Sequence, residues 1–315
     1  LISLGFKETS EYANSVLTEP SYMMVSSVFL LVWLFAWQKR NSITLWFISG
    51  LTLGILAQIK PAWNALVPAI LILSILATAF RIVNLDKIMR CVFPFILGCT
   101  LIATPLLIRN VIQLDYWGLS NPAYFGASLA QRLAYNSMSW YEWLIGWIYY
   151  LPDFGDSLAV SLFGNDAVQR LGWGPNSFYV YGHDTLHNLA IESTSAGEAS
   201  SYLIENHLLN QPLKNIGVTA LMLWRGIFLG KYFGLIAVLL VMPILYTMDP
   251  TMRKNVFILA TPILIMAVVH ALVSVSIPRY NIPLIIIYAL ILSNSIYIFI
   301  KYLVVNLTMV YEHRP

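Results

Sequence analysis

Long apolar runs, each ended by a short cluster of charge, proline or asparagine, set the pattern of this chain. A helix needs about 20 apolar residues to cross the hydrocarbon of a bilayer, within a range of roughly 17 to 25. Runs free of Asp, Glu, Lys and Arg occupy 21–37, 43–59, 62–80, 91–108, 232–248, 255–278 and 281–300. The pattern therefore predicts an all-α, polytopic helical membrane protein with seven spans. It divides the chain into an N-terminal bundle part (1–108), a middle region (109–231), and a C-terminal bundle part with a tail (232–315).

The middle region reads differently. Segment 142–163 is apolar and aromatic but contains Glu142, Pro152, Asp153 and Asp156. A spanning helix would bury those carboxylates at roughly 2.5–3.5 kcal/mol each near the bilayer centre. An interfacial helix, with its aromatic rings at headgroup depth, avoids that cost. Segment 217–231 is short for a span and is interrupted by Arg225. Both are expected to be interfacial or re-entrant, with the polar stretch 164–212 between them.

The links between runs carry an orientation signal. Lys39 and Arg40 separate the first two runs, Arg81, Lys87 and Arg90 the third and fourth, and Arg253 and Lys254 the fifth and sixth. The excess of Lys and Arg in cytoplasmic loops places these three links in the cytoplasm. Alternation then puts the turns at Lys60 and Arg279, and the whole middle region, on the extracytoplasmic side. The expected location is the cell (inner) membrane, as a multi-pass protein whose active face is extracytoplasmic, or periplasmic if the source is a Gram-negative bacterium.

Composition agrees and narrows the function classes. Of 315 residues, 58% are hydrophobic and 10% are charged, against about 25% charged in a soluble domain. The net charge of +3 is spread thinly, and no basic run points to nucleic acid. Cys91 and Cys99 lie in one predicted helix roughly 12 Å apart, beyond disulfide reach. The first residue is Leu, and no signal peptide is legible near it, so the chain is expected to lack its natural N-terminus.

With sides assigned, Glu19, Lys60, Arg109 and Arg279 all fall at helix ends on the outer face. A cavity there with three cations and one carboxylate would suit an anionic lipid headgroup, Arg as a bidentate fork and Lys as a point charge. The plain alternative is that these are topological charges snorkelling at helix ends. His183 and His187 are four apart, with Asp184 between them and Glu192 nearby. That spacing makes them weak candidates for a divalent metal. Asp153, Asp156 and Asp166 could line a cleft, but solvated faces and helix caps account for them as well. His207 and His270 are read as structural.

Four stretches, taken together and in order, resemble a known family. They are SVLTEPSYMMVSSVFLLVWLF (15–35), GLTLGILAQIKPAWNALVPAILIL (50–73), ATPLLIRNVIQLDYWGLS (103–120) and SIPRYNIPLIIIYALIL (276–292). They resemble the Thr-Glu-Pro helix start, the Lys-Pro helix pair, the Pro-Trp-x-x-Arg-Asn motif and the Arg-Tyr-x-x-Pro helix start of GT-C glycosyltransferases of the protein mannosyltransferase and family 39 type. Leu106 stands where Trp is usual. The resemblance covers roughly 15–120 and 215–303, and the middle loop matches nothing in it.

It implies a transferase that moves a hexose or pentose from a polyprenyl-phosphate donor to a lipid, glycan or protein acceptor outside the membrane. The expected substrate-binding residues are the outer-face group Glu19, Lys60, Arg109 and Arg279, together with Tyr280 of the Arg-Tyr-x-x-Pro element. A general-base carboxylate would act on the acceptor, and the resemblance places it upstream of residue 1, so that the stretch by itself would be inactive. Two other classes stay open: a transporter, disfavoured by spans without ionisable residues, and a non-catalytic membrane scaffold.

Overall fold

The computed structural model describes residues 19–82, 84–114, 117–119, 122–193 and 198–312. Among them every regular element is helical. The helices of nine or more residues are α1 (Glu19–Gln38), α2 (Ile43–Ile59), α3 (Leu66–Ala79), α4 (Leu85–Leu114), α5 (Pro122–Ala134), α6 (Trp140–Tyr149), α7 (Gly155–Phe163), α8 (Pro212–Ile227), α9 (Tyr232–Thr247), α10 (Pro250–Val273) and α11 (Leu284–Glu312). Thr18, the first residue of the Thr-Glu-Pro element, lies outside the described residues, as do Asp115, Tyr116 and Ser120 of the third resembling stretch.

The chain is a helical membrane protein. Among the described residues five helices are long and apolar enough to cross a bilayer: Glu19–Gln38, Pro61–Ala79, Ile88–Gln113, Pro250–Val273 and Leu284–Val304. They coincide with five of the seven expected spans. The other two are shorter. α2 has 17 residues, and α9 has 16 and reaches spanning length only together with α8. α8 and α9 meet at 113°, and the turn between them carries Gly230 and Lys231 in the left-handed region, at φ 68° and 54°. Segment 217–231 is thus the second half of α8 and its turn, one arm of a bent helix pair that forms either a broken span or a re-entrant loop. Segment 142–163 is likewise two short helices, α6 and α7, broken at Pro152 and Asp153.

Close packing fixes the helix directions. A Cβ on Gly50 would lie 1.9 Å from the Phe95 carbonyl oxygen, one on Gly98 2.3 Å from that of Phe47, and one on Gly54 2.7 Å from the Ile102 side chain. Gln58 Nε2 donates to the Ile102 carbonyl at 2.9 Å. Residue numbers rise together along the seam, so α2 and α4 are parallel and in backbone contact. Small residues permit such approach between helices in lipid. α1 and α10 run antiparallel: Trp33 Nε1 donates to the Ile258 carbonyl at 3.0 Å and Tyr22 Oη to the Tyr280 carbonyl at 3.1 Å. Both directions agree with strict alternation.

Among the described residues three apolar cores follow, the smallest of them around Leu129, Leu133, Leu186 and Leu203 in the middle region. The bundle core is rich in large rings, among them Tyr22, Phe29, Trp33, Trp46, Trp63 and Phe95. Outward positions such as Ile72, Ile75, Leu239 and Met242 stay exposed, as a lipid-facing surface requires. The second core lies in the middle region, where Tyr135, Phe178, Leu221 and Met222 pack on Ala271 and Val275 at the end of α10. The middle region is therefore a cap seated on that end of the bundle.

Candidate functional site

The site begins with two turns built by the same local rule. A residue before proline is pushed out of the helical region towards extended backbone. Lys60, before Pro61, is extended (φ −132°, ψ 94°) and ends α2, and Pro61 opens a 3-10 turn, Pro61–Ala65. Ile277, before Pro278, is also extended (φ −81°, ψ 152°), and Pro278 opens the 3-10 turn Pro278–Asn281. These turns present Lys60 and Trp63 on one side, and Arg279, Tyr280 and Asn281 on the other.

α1 fits between them. Glu19 stands in its first turn, where the helix dipole favours a carboxylate. One turn on, Tyr22 is fully buried. Trp63 Nε1 donates to Tyr22 Oη at 3.1 Å, and Tyr22 Oη donates in turn to the Tyr280 carbonyl. Lys60 Nζ lies 3.6 Å from Glu19 Oε1, 5.7 Å from the Tyr22 ring centroid and 6.0 Å from that of Tyr280. Glu19 is 3% exposed, and its Oε2 meets no hydrogen-bond donor among the described residues.

The Tyr280 turn is tied to α8 and α10 as well. His270 Nδ1 and Asn281 Oδ1 share a hydrogen bond at 3.1 Å, and the His270 ring lies 5.6 Å from that of Tyr280. Asn281 Nδ2 donates to the Gly226 carbonyl at 3.0 Å and to Ser276 Oγ at 3.3 Å. The Tyr288 hydroxyl donates to the Ile227 carbonyl, fastening the end of α8 to α11.

Of the five residues expected to bind substrate, Glu19, Lys60 and Tyr280 meet directly. Arg279 is exposed, and its guanidinium carbon lies 5.6 Å from the centroid of the Tyr280 ring that Lys60 also faces. Arg109 does not join them. Its guanidinium is held by Asn110 Oδ1 at 2.9 Å, and Asn110 donates to the Gly118 carbonyl. It lies about two turns beyond Ile102, the residue that faces Gln58. The sequence reading missed Tyr22, Trp63 and Asn281, and took His270 for a structural residue only. Tyr22 and Trp63 each follow a named charge by three residues, a spacing that places both on its side of the helix or turn.

The cap is held by buried arginines without carboxylate partners among the described residues. Arg132 is fully buried and donates to the carbonyls of Ala271 (2.7 Å) and Asn215 (3.2 Å), to Asn136 Oδ1 (3.1 Å) and to Thr219 Oγ1 (2.9 Å). Burial lowers its pKa to about 10 from 12.5, so it remains a cation at neutral pH. Arg225 donates to Tyr135 Oη at 2.9 Å and lies 4.7 and 4.5 Å from the ring centroids of Tyr150 and Trp173. Rings supply the negative potential that a carboxylate would otherwise provide.

The remaining candidates disperse. Asp153 pairs with Lys231 at 2.6 Å, joining the α6–α7 turn to the α8–α9 turn. Asp156 accepts from the Ser157 amide at 2.7 Å, and Asp166 stands in the first turn of Asn165–Val168. His183 pairs with its neighbour Asp184 at 2.6 Å. Burial, then the His183 charge, holds His187 below its ordinary pKa of 6.5. Among the described residues no three His, Cys, Asp or Glu side chains gather as metal ligands, so His183, His187 and Glu192 do not form such a group.

The site is therefore a cation and a carboxylate packed against two tyrosine rings, with a second cation near one of those rings, at the bundle end beside the cap. No protein family, curated protein or solved structure matches the chain.

Proposed function

We propose that this chain is a membrane glycosyltransferase that moves a sugar from a polyprenyl-phosphate-linked donor to an acceptor on the extracytoplasmic side. The observation that carries the reading is the meeting of Glu19, Lys60 and Tyr280, from three separate parts of the chain, at the bundle end away from Arg40, Arg90 and Arg253. Lys60 has three donor hydrogens, and Glu19 engages one side of the ammonium. The others are available to a phosphate oxygen, with the Arg279 guanidinium carbon 5.6 Å from the centroid of the same Tyr280 ring. As the glycosyl–oxygen bond breaks, the departing lipid phosphate gains charge, and fixed cations at that point lower the barrier. Glu19 is committed to Lys60, so in this reading it is a positioning residue and not the base that takes the acceptor's proton.

The test is binding of polyprenyl phosphate to the purified protein in detergent. Lys60→Met and Arg279→Gln should each weaken affinity by about ten-fold, the scale of one charge-assisted hydrogen bond. Arg109→Gln should have the smaller effect. Unchanged affinity in all three variants would rule out this pocket, and with it the donor.

A further inference from the structure

The opposite end of the bundle carries a second constellation. Two adjoining cavities, of about 660 and 400 Å³, share Trp33, Trp37, Arg40 and Thr261 in their walls. Trp46 and Phe95 deepen the larger one, which is otherwise lined mainly by aliphatic residues of α3 and α4. Its charged lining residues are Arg40 and Arg90, while Arg253 and Lys254 border the smaller cavity. Among the described residues no carboxylate lines either, and the ion pairs all lie elsewhere. The Arg40 guanidinium carbon lies 5.3 Å from the Trp37 ring centroid.

The indole donors single out one point in this wall. Trp33 Nε1 donates to the Ile258 carbonyl and Trp46 Nε1 to the Arg40 carbonyl, at 3.0 and 3.1 Å. Trp37 Nε1 is buried with no acceptor among the described residues. An indole N–H can only donate, and a buried donor without a partner is costly. The constellation thus lacks an acceptor beside Arg40, a negative charge among four cations, and apolar mass within an aromatic cavity.

We propose that these cavities form a binding site for one anionic glycerophospholipid, distinct from the Lys60 site. The phosphate lies against Arg40 and Arg90, an oxygen of the headgroup or ester accepts from Trp37, and an acyl chain fills the larger cavity. The inference does not depend on the transferase reading, because it uses none of its residues.

Lipid retention decides it. The whole protein is released from nanodiscs holding equal amounts of phosphatidylglycerol and phosphatidylcholine, and the bound lipids are counted by native mass spectrometry. The wild type should keep phosphatidylglycerol preferentially. Arg40→Gln and Arg90→Gln should each cut that preference about five-fold, the effect of one cation at a lipid headgroup. Both residues are exposed, so neither change threatens folding. Trp37→Phe keeps a ring and removes only the donor, and it too should lower the preference, while Lys214→Gln on the cap should leave it unchanged. Equal retention of the two lipids by the wild type, or an undiminished preference in Arg40→Gln and Arg90→Gln, overturns the proposal.

Discussion

Glu19 shows how much a single position can depend on its neighbours. A carboxylate that is 3% exposed, with one oxygen on Lys60 and the other without a donor among the described residues, is stabilised chiefly by that one cation. Removing one partner of a buried pair is far worse than removing both, because a lone charge is left without solvent. Lys60→Met should therefore destabilise the protein by about 2 kcal/mol, less than for a fully enclosed pair because Lys60 keeps some contact with solvent. Glu19→Gln combined with Lys60→Met should regain part of that loss. Thermal unfolding of the three variants in one detergent measures the coupling, and a double variant no more stable than Lys60→Met would show that Glu19 is stabilised by something else. The charges of this site were legible in the sequence because they punctuate apolar runs. Tyr22, Trp63 and Asn281 were not, because what marks them is a partner on another helix, far away in the chain. Arg109 marks the opposite failure: it shares a side with Lys60, yet its nearest partner is its own neighbour, Asn110.

At the scale of helices, composition gave away most spans and little of their irregularity. Lipid selects for apolar length, so Glu19–Gln38 or Pro250–Val273 stand out in any window. The 113° bend between α8 and α9 depends instead on Gly230 and Lys231 adopting positive φ and on Asp153 reaching Lys231, and neither alters hydropathy. The α2–α4 seam is equally hidden, since Gly50, Gly54 and Gly98 could pass for flexible positions. In an exposed helix, Gly→Ala gains up to about 1 kcal/mol. At Gly50 the added methyl would meet the Phe95 carbonyl, backbone that cannot step aside without moving α4. Gly50→Ala should lower the unfolding midpoint in detergent, whereas Gly174→Ala, with open space around it, should not. If both variants melt with the wild type, the two helices are not in backbone contact.

For the molecule as a whole, what matters most is which end faces which side. Helix directions are internally consistent: α2 and α4 are parallel, α1 and α10 antiparallel, and Gln38 reaches Asn255 at 3.5 Å at the end where Arg40 and Arg253 line one cavity. The cap and the Lys60 site occupy the other end. The bias of basic residues predicts that the Arg40 end is cytoplasmic, and both proposed sites inherit their leaflet from that prediction. A cysteine-free background, with Cys91→Ala and Cys99→Ala, allows a direct reading. Ser157→Cys on α7 and Lys39→Cys between α1 and α2 are both at exposed positions. A membrane-impermeant maleimide applied to intact cells should label Ser157→Cys, and should label Lys39→Cys only after permeabilisation. Labelling of both from outside would break the alternation itself and place the two sites on one surface. The reverse pattern would keep the bundle but invert it, so that Lys60 would meet cytoplasmic donors and the Arg40 cavity the outer leaflet. An extracytoplasmic transferase would then be excluded, while the anionic-lipid site, which depends only on its local chemistry, would stand with its leaflet exchanged.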